Sequence, residues 1–124
     1  MKIKESAENY LETILMLKNK KGTVRSIDIA NELNFTKPSV SVAMKNFRED
    51  GYITVSDDGN ILLTEKGLKI AERIYERHRV IAKALIALGV DEDIAHEDSC
   101  KIEHDISEIT FEKIKDFCAK HVKD

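Results

Sequence analysis

Tryptophan is absent from the 124 residues, and the chain holds one proline, five glycines and two cysteines. So few chain breakers exclude a proline- or glycine-rich linker polypeptide and leave long uninterrupted helices as the expectation. Cys100 and Cys118 can form at most one disulfide, which excludes a disulfide-framed secreted miniprotein and makes free thiols the expectation. No apolar run approaches the roughly 20 residues of a membrane span, and the opening "MKIKESAENY" has no apolar signal-peptide core. A cytoplasmic protein with no membrane partner is expected. Excess positive charge is missing as well: the formal net charge is −3, with the first 75 residues near neutral and the remainder acidic. No glycine-rich loop or nucleophile constellation is present, which argues against an enzyme and against a small-molecule substrate.

The chain has a 42% hydrophobic and 35% charged composition, which describes an ordered, helix-rich domain. Apolar residues at Ala7, Tyr10, Leu11, Ile14 and Leu17 recur every three or four positions, predicting an amphipathic helix over 5–20. Ser26 is expected to cap a second helix through Leu33. Thr36 is expected to cap a third, with Pro38 in its first turn, where the missing amide hydrogen costs nothing. "YITVS" and "NILLT" flank "DDG", the pattern of two short strands about a two-residue Asp-Gly turn. A long helix is expected from Thr64 through Leu88, with Ala71, Ile74, Ile81, Leu85 and Leu88 inward. A shorter one follows Asp91, and a last one runs over about 110–121 with Phe111, Ile114, Phe117 and Cys118 on one side.

Helix, tandem short helices, hairpin and helix is the order of a winged helix-turn-helix, with 21–51 as the tandem pair and 52–64 as the wing. In the third helix Val40, Met44 and Phe47 share the inward face. The opposite face carries Pro38, Val42, Lys45 and Glu49, flanked by Ser39, Ser41 and Asn46, and is small and polar at its start. That shape suits entry into a DNA major groove about 12 Å wide, where Val42 can lie against thymine methyl groups. Arg25, Thr36, Lys37 and Lys45 complete the candidate DNA-contacting set. With few cations per copy, a homodimer on a palindromic operator in double-stranded DNA is the expected binding form.

"HEDSCKIEH", residues 96–104, gathers imidazole, thiol and carboxylate, the three protein donor types for divalent transition metals. If 91–105 is helical, His96, Cys100, Glu103 and His104 share an arc of about 100°. His78, four residues after Ile74, lies on the buried stripe of the long helix, and Asn9 and Glu12 sit one turn apart on the first helix. An acidic solvated helix is the plain alternative, although Cys100 and Ile102 are poor choices for a solvated face. The resulting fold class is mostly α with a small β-hairpin: an N-terminal winged helix-turn-helix over 1–70 and a C-terminal helical metal-binding and dimerisation domain over 71–124.

"SAENYLETI", "TKPSVSVAMKNFREDGYI", "LTEKGLKIA", "ERHRV" and "CKIEHDIS" together resemble the metal-dependent transcriptional repressors of the diphtheria toxin repressor type, in the short form that lacks an SH3-like domain. The resemblance implies a primary metal site at Asn9, Cys100, Glu103 and His104. Asn9 departs from the methionine of iron-type members and the aspartate of manganese-type members. Cys100 is similar to the iron branch, where the manganese branch has glutamate. Glu12 and His78 match ligands of the manganese branch's paired site, while His78 and His96 match the iron branch's second site, whose glutamate is Ala82 here. A thiolate donor favours iron(II), cobalt, nickel or zinc over manganese(II), the weakest binder of the divalent series. Together with the resemblance this makes iron(II) the first expectation and manganese(II) the second, with zinc, cobalt or nickel able to bind in vitro. The expected mechanism has metal drawing the first helix, the long helix and the acidic helix together in a repressor dimer. A metal-independent winged-helix regulator and a metallohydrolase are the competing classes.

Overall fold

The computed structural model describes residues 5–122 and contains, in order, α1 (Glu5–Lys21), α2 (Ser26–Leu33), α3 (Lys37–Glu49), β1 (Ile53–Val55), β2 (Ile61–Leu63), α4 (Glu65–Ala87), α5 (Glu92–Ile102) and α6 (Glu108–His121). The chain forms two compact units, Met1–Glu72 and Arg73–Asp124. Among the described residues no helix is long and apolar enough to cross a membrane.

In the first unit, α1 packs on α2 and β2, and α3 packs on α2 and β1. Leu11, Ile14, Val24, Ile29, Val40, Ile53, Ile61 and Ala71 are almost wholly buried. Tyr10 makes edge contacts with both Phe35 and Phe47, at ring-centroid separations of 5.7 and 5.6 Å. The cap of α2 differs from expectation. Ser26 is already helical, and Arg25 takes the cap position with its backbone N–H donating to Asp28 Oδ2 at 2.9 Å. Asn34 closes α2 in the left-handed region, φ 58°, where a short polar side chain carries little steric penalty. Thr36 caps α3 as expected, accepting from Ser39 N at 3.3 Å, an interaction worth about 1 kcal/mol.

Two three-residue strands would be marginal alone. They pair antiparallel with Ile53 opposite Leu63, Thr54 opposite Leu62 and Val55 opposite Ile61. Ile61 N donates to Val24 O at 2.7 Å and Thr64 N to Tyr52 O at 3.0 Å, which ties the wing into the unit at both ends. The turn is not the two-residue form. Ser56 N donates to Asn60 O, leaving a three-residue loop whose Gly59, at φ 87°, supplies the left-handed position such a loop requires. At the foot of the wing, Gly67 approaches Tyr52 so closely that a Cβ would stand 2.1 Å from its carbonyl oxygen.

In the second unit, Ile74, Ile81, Ala82, Ala95, Phe111 and Cys118 form the core. Val90 N reaches back to Leu85 O, and Gly89 (φ 103°) ends α4. Leu88, expected inward, is 79% exposed because the helix has already broken at Ala87. Helix α5 stops at Ile102 instead of 105, and α6 starts earlier than expected, at Glu108, because Ser107 caps it by accepting from Thr110 N at 3.1 Å. Phe117, assigned to the buried side of α6, is 57% exposed.

Candidate metal centre and DNA-reading face

His78 is brought to the core by the i, i+4 spacing from Ile74 and is held there through its backbone: Ser99 Oγ donates to His78 O at 2.8 Å. Its ring then meets three groups of the 96–104 segment. Nδ1 lies 2.9 Å from Glu103 Oε2 and 3.7 Å from Cys100 Sγ, and Nε2 lies 3.0 Å from His96 Nδ1. The two imidazoles stack with centroids 5.2 Å apart. Cys100, then Glu103, push the His78 imidazole up from 6.5 to about 10, overriding the opposing effect of burial. When protonated, the ring donates Nδ1–H to Glu103 and Nε2–H to His96.

Glu103 is fully buried. A buried carboxylate is costly unless both oxygens are partnered. Oε2 has His78, whereas Oε1 has no hydrogen bond among the described residues and faces His104 Nε2 only at 3.4 Å. One ligand atom each from His78, Cys100 and Glu103 lies within 4.8 Å of the others. That set supplies nitrogen, sulfur and oxygen at separations a first-row ion can span with bonds of about 2.0–2.3 Å, and the unsatisfied Oε1 is the donor such an ion requires. The residues fit a divalent transition metal.

The expected helical arc holds for Cys100 and Glu103, the latter still in right-handed helical conformation as the cap of α5. His104 lies in the turn beyond, its side chain buried beside Glu103. His96 is exposed and reaches the cluster through His78 alone among these contacts. Asn9 is half-buried and Glu12 buried, both on α1 of the first unit. Two residues not singled out in the sequence are built into this region. Ser99 holds the His78 carbonyl. Arg77 is buried, with Nη1 donating to Glu103 O and Ile106 O, both at 3.0 Å, and Nη2 paired with Glu108 Oε2 at 2.7 Å. Its signal was its place on the α4 stripe, three residues after Ile74 and four before Ile81.

On α3, Val40, Met44 and Phe47 are buried as expected. Thr36, Lys37, Pro38, Ser39, Ser41, Val42 and Lys45 are all exposed, Val42 by 60%. Ser26, Ile27, Lys37 and Ser41 line a shallow cavity of about 250 Å³ between α2 and α3. Arg25 is exposed but turned onto the wing, its Nε donating to Asp58 O at 3.1 Å.

Comparison with known proteins gives a consistent picture. Residues 2–61 match the family described as iron dependent repressor, N-terminal DNA binding domain, and residues 64–124 match iron dependent repressor, metal binding and dimerisation domain. An uncharacterized HTH-type transcriptional regulator of Methanocaldococcus jannaschii is 35% identical over 118 residues, covering 94% of each chain. The transcriptional regulator MntR of Escherichia coli O6:H1 is 32% identical over 118 residues, covering 95% of this chain and 76% of its own. Among solved structures, the manganese regulator SloR superposes with a TM-score of 0.79 at 27% identity over 96% of this chain, which spans only 55% of SloR. The wing, α3 and the nitrogen–sulfur–oxygen cluster thus belong to a member of the iron-dependent repressor family, the metal-dependent transcriptional regulators of the diphtheria toxin repressor type.

Proposed function

We propose that this chain is an iron(II)-responsive repressor that binds a palindromic operator as a homodimer. The observation that carries the metal assignment is the convergence of buried His78 and Glu103 with the exposed thiol of Cys100 in one cluster. The thiolate ranks the metals: sulfur is a softer donor than carboxylate and favours iron(II) over manganese(II), the weakest binder of the divalent series. A bound cation supplies the positive charge that balances Cys100 and Glu103 once His78 has released its proton. His104, from the same turn, is a further ligand in this reading, and His96, beside the other ring nitrogen of His78, is a ligand candidate for a second ion. Asn9 and Glu12 are ligand candidates on the family resemblance alone.

Lys37, Pro38, Ser39, Ser41, Val42 and Lys45 form the base- and phosphate-contacting face, with Thr36 fixing the first turn of the helix that carries them. Arg25 acts through the wing it holds. Two heads in a dimer read half-sites one helical turn of DNA, or a multiple, apart. Linkage requires reciprocity: operator DNA tightens metal binding by the factor by which metal tightens operator binding.

A second reading has specific support. SloR is described as a manganese regulator, and Glu12 and His78 match the manganese branch in the family resemblance. Operator binding by fluorescence anisotropy, with iron(II) under anaerobic conditions and manganese(II) titrated separately, distinguishes the two. Iron(II) is expected to activate at the lower free concentration. Operator binding that persists unchanged under a chelator would remove metal control altogether.

A further inference from the structure

Arg77 is 4% exposed and sits one residue before His78. It reaches 26 residues along the chain to Glu103 O and 29 to Ile106 O, and its other arm reaches 31 residues to Glu108 Oε2. These three acceptors bracket the turn that carries Glu103 and His104 from the end of α5 to the start of α6. Adjacent residues of α4 therefore grip the same ligand twice: Arg77 holds the Glu103 backbone carbonyl at 3.0 Å, and His78 holds its carboxylate at 2.9 Å.

This arrangement is retained at a cost. Arg77 Nε is buried with no hydrogen-bond partner among the described residues, so a desolvated donor goes uncompensated. A packed hydrophobic residue would avoid it. The ring of Phe111 lies 5.2 Å from the guanidinium carbon and closes the remaining side. Glu108, itself mostly exposed, is held below the usual carboxylate range by its bond to Arg77. A buried planar cation with two carbonyls and a carboxylate around it has one geometry, because the fork of N–H donors is rigid.

We propose that Arg77 is the positioning residue of the metal centre. It touches no metal, and it sets the turn so that Glu103 and His104 present their donors to the cluster formed with His78 and Cys100. The proposal rests on the metal-site reading above. Outer-shell partners that orient ligands are typically worth about 10–100-fold in metal affinity, and Arg77 belongs to that class through backbone carbonyls. Lysine keeps the charge and much of the stem but gathers its donors on one nitrogen, so it loses the planar fork by which Nη1 and Nη2 reach separate acceptors.

Cobalt(II) titration of the full chain tests this, because a thiolate ligand gives a near-ultraviolet charge-transfer band and the visible bands report coordination geometry. The wild-type protein is expected to show the charge-transfer band, and its absence would overturn the metal-site reading itself. With that band present, Arg77→Lys should fold with an unchanged far-ultraviolet dichroism spectrum. Its cobalt affinity should fall by about 10–100-fold and its visible bands should shift. Equal affinity and an identical cobalt spectrum in Arg77→Lys would overturn the positioning role while leaving the site intact. If Arg77→Lys does not fold, Glu108→Gln decides, since its side chain is 58% exposed and its loss frees one arm of the clamp. A drop in cobalt affinity with shifted bands supports the proposal, and a wild-type titration contradicts it.

Discussion

His78 and Glu103 stand 25 residues apart in the chain, yet His78 Nδ1 lies 2.9 Å from Glu103 Oε2. Two groups buried together in this way, with Cys100 beside them, must either share a proton or share a metal. In the metal-free protein the proton takes the place, and that makes the site sensitive to pH.

His78 is raised from 6.5 to about 10 in the folded protein, chiefly by Cys100 and then by Glu103. A raised basic group stabilises the fold fully below its unfolded value and loses that contribution as pH rises through the folded value. The metal-free protein should therefore lose stability between about pH 6.5 and 10, and His78→Gln should flatten that part of the curve. Thermal melts under chelator across this range check it, and parallel curves for the two proteins would contradict it. Metal uptake has the opposite sign, because the ion displaces the proton. Apparent affinity should climb by up to about tenfold per pH unit for each proton displaced, measured by calorimetry in buffers of different ionisation enthalpy.

Cys100→Ala removes the only sulfur donor of the cluster. Iron(II) and cobalt(II) affinity should fall by more than the about 10–100-fold typical of an outer-shell change. Manganese(II), which gains least from sulfur, should lose least. The check is a competition titration against a chromophoric chelator. Equal losses for all three metals would mean that Cys100 does not set the ranking.

Val42 is the apolar residue at the centre of the exposed α3 face. Val42→Ala should weaken binding to the preferred operator by about 1–2 kcal/mol, the value of the lost methyl contact. Discrimination against sites lacking the contacted thymine should shrink, with metal affinity unchanged. Anisotropy on a small set of operator variants reads this out, and uniform weakening on every sequence would assign Val42 to packing instead.

Gly67 has no room for a side chain, because a Cβ would meet Tyr52 O at 2.1 Å. Gly67→Ala must push the foot of the wing away from α4, disturbing the Thr64 N to Tyr52 O bond. Strain of this kind costs about 1–3 kcal/mol, visible as a lower urea midpoint. An unchanged midpoint would show that the wing yields freely.

Much of this fold was legible because helical periodicity is a local signal. The inward set Val40, Met44 and Phe47 and the outward position of Val42 followed from 3.6 residues per turn alone. The failures lie where tertiary geometry decides. Leu88 continued the apolar stripe on paper, but α4 breaks before it and leaves it in solvent. The Asp58-Gly59 pair suggested a two-residue turn, whereas the Ser56 to Asn60 bond sets a three-residue loop. For the site, donor chemistry marked the residues, and the cluster that forms is led by His78 with Cys100 and Glu103. Arg77 stayed hidden because its partners are mainly backbone carbonyls, which carry no sequence signature.

The most direct test is a crystal grown anaerobically with iron(II), with anomalous diffraction collected on both sides of the iron edge. The account predicts an iron peak within bonding distance of Cys100 Sγ, a Glu103 carboxylate oxygen and a His78 ring nitrogen. Iron-edge data with no peak there, and with these three side chains turned away from one another, would contradict it.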